Sequence, residues 1–172
     1  MRKLVAGFAC SLDGYIEGLK GEYDWIVIDK EVNFVEQMKR YDTYLYGRKT
    51  YEAVVRMGGV DTASRHYVFS KTLADVKKGF TLVRDDVKDL VSRLKQEPGK
   101  DIALFGGASL LASLLNLDLV DEISISVIPV LLGAGRPMVE VLNRRVWLDL
   151  VSTKTYRNGT LALTYNVKMQ SN

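Results

Sequence analysis

The chain alternates between short apolar runs and longer stretches in which apolar residues recur at helical spacing. Leu4 to Ala9 is an unbroken apolar run after Arg2-Lys3 and predicts a buried strand. It stops at the turn residues Ser11-Leu12-Asp13-Gly14, and a glycine-punctuated segment carrying Tyr15, Tyr23 and Trp25 follows to about Val27. Asp29 to Arg40 has Phe34, Val35 and Met38 at helical spacing and predicts a helix capped by Asp29. Thr43–Tyr46 is a short strand that ends at Gly47-Arg48-Lys49-Thr50, where a second helix begins. His66–Phe69 and Phe80–Val83 predict strands, and Val87, Leu90, Val91 and Leu94 mark a helix over Asp86–Glu97 ended by Pro98-Gly99. Ile102–Phe105 is a buried strand, Gly106-Gly107 a turn, and Leu110, Leu111, Leu114 and Leu115 one face of a helix. In Glu122–Pro129, Ile123, Ile125 and Val127 alternate with Ser124, Ser126 and Ile128. Val146–Tyr156 and Thr160–Met169 flank Arg157-Asn158-Gly159, and Asn-Gly between strand-like runs predicts a hairpin.

Strand and helix alternate through Leu115, which predicts an α/β fold with a largely parallel sheet and an antiparallel hairpin at one edge. With 172 residues, 47% hydrophobic and 26% charged, residues 1–172 read as one domain with a full core. The net charge of +3 is small and the signs are interspersed, so nothing points to nucleic acid. The single Cys10 and single His66 exclude an intrachain disulfide and a His/Cys zinc site, so no metal is expected. No apolar window approaches a membrane span, and the N-terminal run is too short for a signal peptide; a cytoplasmic setting is expected.

Three strand ends carry candidate chemistry. Gly106-Gly107 before a helix leaves free backbone N–H groups at the helix start for an anion, or is a tight turn only. Arg48 and Lys49 at a helix start work against the helix dipole, which an additional phosphate ligand explains and a solvated helix end also allows. Ser70 and Lys71 end the third strand. In a parallel sheet ligands bind at the carboxyl ends of strands, so the three loops together can serve one phosphate-bearing ligand. Helical spacing also carries Glu31 onto the apolar face of the predicted Asp29–Arg40 helix, as an inward acid or as a first-turn acid that the dipole favours. The aromatic loop before it is a lid or an ordinary surface loop.

Tyr44 to Val54, YLYGRKTYEAV, resembles the Gly-Arg-x-Thr-(Trp/Tyr)-Glu motif of dihydrofolate reductases. SLDGYIEG near the N-terminus, FGG at 105–107 and VDEISISVIPVLLGAGRPM at 120–138 are more similar to a neighbouring branch, the reductase domain at the C-terminus of the bifunctional riboflavin-biosynthesis deaminase-reductase, and its stand-alone relatives. The resemblance implies a dihydrofolate-reductase-like fold with a mixed sheet of about eight strands, and NADPH as hydride donor to a small heterocyclic substrate. By position it implies that Gly47, Arg48, Lys49 and Thr50 take the adenosine-side phosphates, Ser70 and Lys71 lie near the 2′-phosphate, and Gly106, Gly107, Ala108, Ser109 and Leu110 meet the pyrophosphate. It puts Glu31 at the place of the catalytic acid and Asp13, Tyr15, Trp25, Phe34 and Phe105 at the substrate. Relatives are often homodimers, so a second copy of the chain is an expected partner. Two departures stand out: Phe105 occupies a position that is usually acidic in the riboflavin-pathway reductases, and the zinc-bearing deaminase half is absent. The implied activity is that of a 5-amino-6-(5-phosphoribosylamino)uracil reductase relative. A dihydrofolate reductase is the alternative, and a non-catalytic nucleotide-binding protein on the same fold is the reading from another class.

Overall fold

The computed structural model describes residues 1–168, so Met169, the last residue of the expected final strand, lies outside the described residues. In chain order the elements are β1 (Leu4–Ser11), β2 (Tyr15–Glu17), α1 (Phe34–Met38), β3 (Tyr41–Gly47), α2 (Arg48–Arg56), β4 (Arg65–Phe69) and β5 (Thr81–Val83), followed by α3 (Val87–Gln96), β6 (Asp101–Leu104), α4 (Ala108–Asn116), β7 (Glu122–Ile128), β8 (Arg136–Pro137), β9 (Leu148–Thr155) and β10 (Leu161–Val167). Eight strands form one sheet in the order β5-β4-β3-β6-β1-β7-β10-β9, and β2 pairs with β8 as a small second ribbon. From β5 to β7 every pairing is parallel; β10 runs antiparallel to both β7 and β9. The mixed, mostly parallel architecture and the terminal hairpin are as the alternation predicts.

Both faces of the central strands are covered, which is why they read as near-continuous apolar runs. On β3, Leu45 points to one face and Tyr44 and Tyr46 to the other, and all three are buried. Leu45 joins Leu4, Ile102 and Leu104 beneath Val91 and Leu94 of α3 and Leu111 and Leu114 of α4. Each such fully buried side chain contributes about 1.5–3 kcal/mol. Tyr44 and Tyr46 join Tyr51, Ala103 and Phe105 on the opposite side.

One predicted element is corrected. The helix expected over Asp29–Arg40 is only α1, with Asn33 as its N-cap accepting from the Glu36 N–H at 3.0 Å. Asp29 does bind an N–H two residues on, that of Glu31 at 2.9 Å, which closes a turn rather than a helix. Its other oxygen accepts from the Asn158 N–H in the turn between β9 and β10 at 3.1 Å, so a long-range contact takes over the cap residue. Of the face Phe34, Val35 and Met38, only the half-buried Met38 packs against the core, and no residue of α1 is fully buried. The β2–β8 ribbon, with strands of three and two residues, has no counterpart among the predicted elements.

Candidate functional site

Because β4, β3 and β6 are neighbours and parallel, their carboxyl ends emerge side by side along one edge. The loop after β6 approaches the start of α2: the Gly47 N–H donates to the Gly106 carbonyl at 2.8 Å. A Cβ on Gly47 would stand 3.2 Å from the Gly107 nitrogen, a tight contact that a glycine avoids. Gly106 has a φ of +97°, the second position where a side chain is disfavoured, and the Gly106–Gly107 peptide is cis.

A cavity of about 450 Å³ opens over these ends. Gly47, Arg48 and Lys49 line it from β3 and α2, Ser70 and Lys71 from the end of β4, and Gly107, Ala108, Ser109 and Leu110 from α4. Nine of the expected cofactor residues thus meet in one place. Arg84, after β5, and Arg136, on β8, bring two further cations that the sequence reading passed over, and among the described residues no carboxylate lines this cavity. α4 begins without a side-chain cap, and its first intrahelical bond is from Leu111 N–H to Gly107 O at 3.0 Å. The N–H groups of Ala108, Ser109 and Leu110 therefore have no helical acceptor and stand at the positive end of the dipole. Arg48 is joined to Glu52 one helical turn away at 3.1 Å, and Arg136 to Glu17 at 3.3 Å and Glu140 at 3.0 Å.

A second cavity, of about 460 Å³, adjoins the first and shares Gly107 and Ala108 with it. The remaining two expected cofactor residues, Thr50 and Gly106, line this one. Its floor is made of small residues on one face of the sheet: Gly7 and Ala9 on β1, paired with Ser124 and Ser126 on β7. A Cβ on Gly7 would meet nothing within 4 Å, which shows how the space arises. The Ser/Ile alternation of β7 was the sequence signal, with Ile123 and Ile125 turned to the core. The walls are Ile26, Val27 and Ile28 from the loop, Phe34 and Met38 from α1, and Tyr156 and Thr160 from the terminal hairpin.

The expected substrate residues divide. Phe34 and Phe105 line the second cavity; Phe105 stacks on Tyr46 at 5.8 Å and 9° and leans on Tyr44. Asp13, Tyr15 and Trp25 line neither cavity. Asp13 instead fastens the turn after β1 to the loop after β7, accepting from Leu132 N–H at 3.1 Å and Gly133 N–H at 2.8 Å. The Ser11 hydroxyl, first, and these backbone groups hold its carboxyl below the usual range. Trp25 donates its indole N–H to Glu22 O at 3.3 Å.

Glu31 also lines neither cavity. It is exposed in the turn before α1 and pairs with Arg157 at 2.9 Å. The premise of an inward helical face fails there because the helix has not begun. The acids that do line the second cavity are Asp29 and Glu17. Asp29 is kept below the ordinary carboxylate range, first by the Glu31 N–H and further by the Asn158 N–H and the nearby Arg157 and Lys154. Sequence reading had met Asp29 only as a helix cap; its position at the cavity depends on a partner 129 residues away.

Comparison with known proteins fits this arrangement. The family model described as the RibD C-terminal domain matches residues 2–162. The chain is 35% identical to the protein YyaP of Bacillus subtilis (strain 168), over 96% of this chain and 95% of that one. A solved structure named for riboflavin biosynthesis, from Shewanella sp. PV-4, superposes with a TM-score of 0.85 at 26% identity, covering 97% of this chain and 99% of the other. Dihydrofolate reductase from Enterococcus faecalis, solved with NADP(H), shares the fold at a TM-score of 0.75 and 16% identity, covering 97% of each chain. The deaminase/5-amino-6-(5-phosphoribosylamino)uracil reductase of Thermotoga maritima does so at 0.70 and 15%, with 96% of this chain matched to 56% of that longer protein. A sheet that gathers three glycine- and hydroxyl-bearing strand ends under a capless helix, matched over almost its whole length by one family model, places this chain in the RibD C-terminal domain family, on the dihydrofolate-reductase-like fold.

Proposed function

We propose that the chain is an NADPH-dependent reductase of a small heterocyclic substrate. The observation that carries this is the junction of the two cavities at Gly107 and Ala108, one cationic with free helix N–H groups, the other apolar and floored by small residues. The cationic cavity fits a dinucleotide: a glycine contact that a Cβ would crowd, three unpaired N–H groups, three serine hydroxyls and five cations. The group bound there would supply a hydride from its dihydronicotinamide ring. Its presence in the Enterococcus faecalis enzyme of the same fold supports the assignment.

Each residue then has a task. Gly47, Arg48, Lys49 and Thr50 hold the adenosine-side phosphates, Gly106 to Leu110 the pyrophosphate. Ser70, Lys71 and Arg84 recognise the additional phosphate. The second cavity holds the substrate ring over Gly7 and Ala9, with Phe34 and Phe105 against it and the loop and the hairpin at its walls. Asp29, not Glu31, is the carboxylate that meets the substrate. Being ionised, it accepts hydrogen bonds and orients the ring, and the proton that balances hydride transfer to carbon enters from solvent. The reading includes a second copy of the chain as partner. β9 is an edge strand with Leu150 and Val151 exposed, which supports pairing there, and a solution mass of twice 19.3 kDa is the expected result.

The test is NADPH oxidation with a panel of pterins, pyrimidines and cyclic imines. Turnover of at least one is expected. Asp29→Asn should lower kcat/KM by about tenfold or more while NADPH affinity holds, since a hydrogen bond to a charged group is worth about 1.5–3 kcal/mol. Glu31→Gln should leave both nearly unchanged. NADPH binding with no turnover of any compound would instead favour a nucleotide-binding protein.

A further inference from the structure

The second cavity differs from the first in charge. Among the described residues it has no lysine or arginine in its lining, only the two carboxylates of Asp29 and Glu17. Glu17 is already engaged by Arg136 at 3.3 Å, which leaves Asp29 as the charge a ligand meets. The cations nearest that end are committed elsewhere and do not line the cavity: Lys154 sits over the Tyr156 ring at 4.5 Å, and Arg157 is on Glu31 at 2.9 Å. A phosphate placed in this cavity would lose its hydration, meet no cation in the lining and face a carboxylate. The cations that line a cavity belong to the other one, on the far side of Gly107 and Ala108.

The same end holds an unanswered polar group. Thr160 lines the cavity and is 5% exposed, and its hydroxyl oxygen is itself buried without a hydrogen-bond partner. A buried hydroxyl left unpaired is costly, and a ligand that pairs it gains accordingly. Asn158 ties this threonine to the acid: the Asn158 backbone N–H donates to Asp29, and the Asn158 side-chain oxygen accepts from the Thr160 N–H at 3.0 Å. One turn therefore holds both an acceptor-only carboxylate, from the segment before α1, and a buried unpaired hydroxyl, at an end of the cavity walled by Val27, Ile28, Phe34 and Met38.

We propose that this cavity takes an unphosphorylated, apolar-bodied heterocycle whose polar edge carries a donor beside an acceptor, as a lactam does, with Asp29 taking the donor and the Thr160 hydroxyl the acceptor. The proposal rests on the reductase reading for its reaction but not for its binding chemistry. It separates this chain from the phosphoribosyl compound for which the Thermotoga maritima protein is named.

Calorimetric titration decides it, on the free protein and on protein saturated with NADP⁺, which fills the cationic cavity. The probes are the neutral bicyclic lactam quinoxalinone, 5-amino-6-(5-phosphoribosylamino)uracil, and the ribosyl compound made by removing its phosphate. Quinoxalinone should bind, and the phosphate should add nothing to the affinity of the uracil. Thr160→Val should weaken quinoxalinone by about fivefold, the worth of one neutral hydrogen bond, and leave NADPH affinity alone. It should also leave the Tm of the free protein level or higher, because the hydroxyl it removes is unpaired there; a merely structural threonine would lower it. Failure of quinoxalinone to bind, its undiminished binding to the valine variant, or a tenfold gain from the phosphate would each overturn the proposal. Failure of NADPH to bind would overturn the reductase reading instead, with the free-protein titrations still deciding this one.

Discussion

His66 shows how a residue of catalytic type is used for structure alone. It is buried, its Nε2 lies 3.1 Å from the Asp61 carbonyl and its Nδ1 3.1 Å from the Tyr46 hydroxyl. A carbonyl only accepts, so Nε2 carries the proton and Nδ1 accepts from Tyr46. Tyr44 stacks on the ring at 5.1 Å. Burial lowers its pKa below 6.5, with Asp61 opposing but not prevailing. The unfolded chain therefore binds a proton near pH 6.5 that the folded one refuses, and stability contributed by neutral His66 is lost as pH falls below that value. As the only histidine, its ring signals can be followed directly by NMR. The expected result is a midpoint below 6.5 with a Tm that declines over the same range; a midpoint at or above 6.5 would refute this account of the ring. That His66 sits in a strand was legible in the sequence from its apolar run to Phe69. That its role is to brace the aromatic wall behind Phe105 was not, because those rings come from four separate segments.

Among the elements, the strand ends were readable and the loop-and-hairpin pairing was not. Apolar runs that stop at Gly47, Ser70 and Gly106 announce where buried strands surface, and parallel alternation brings such ends together without knowledge of any contact. The segment from Tyr23 to Asn33 is organised by the Asn158 turn, which no local pattern reveals. Asn158 donates through its side chain to Val27 O at 3.1 Å, while its backbone binds Asp29. Local propensity saw an aspartate before an amphipathic stretch and started the helix there; the long-range bonds win, and α1 starts at Phe34. The carboxylate facing the cavity is consequently two residues earlier than helical spacing indicates. Replacing Asn158 with Ala frees the loop at Val27 and the hairpin at Thr160. The expected cost is about 1 kcal/mol in stability, with a raised KM for the substrate and an unchanged Kd for NADPH. A variant that loses NADPH as well would show that hairpin and cationic cavity are not independent.

For the whole molecule, the division of labour follows the sheet. Strands β4, β3 and β6 present the cations, hydroxyls and helix N–H groups; β1 and β7, with the hairpin β9–β10, shape the apolar cavity; Gly107 and Ala108 join the two. The first half was visible in the sequence because its chemistry lies in short contiguous motifs. Arg84 and Arg136 were missed because each is an isolated cation whose place depends on sheet order and on the β2–β8 ribbon. Among the described residues no helix is long and apolar enough to cross a membrane. The central claim is that the cationic half is a dinucleotide site selective for an additional phosphate. Fluorescence titration of NADPH and NADH against the wild-type chain and Lys71→Ala tests it most directly. The account predicts that both nucleotides bind, NADPH the tighter, and that Lys71→Ala weakens NADPH by about tenfold while NADH changes little. No binding of either nucleotide would contradict the account, and equal losses for both would remove Lys71 from the additional phosphate.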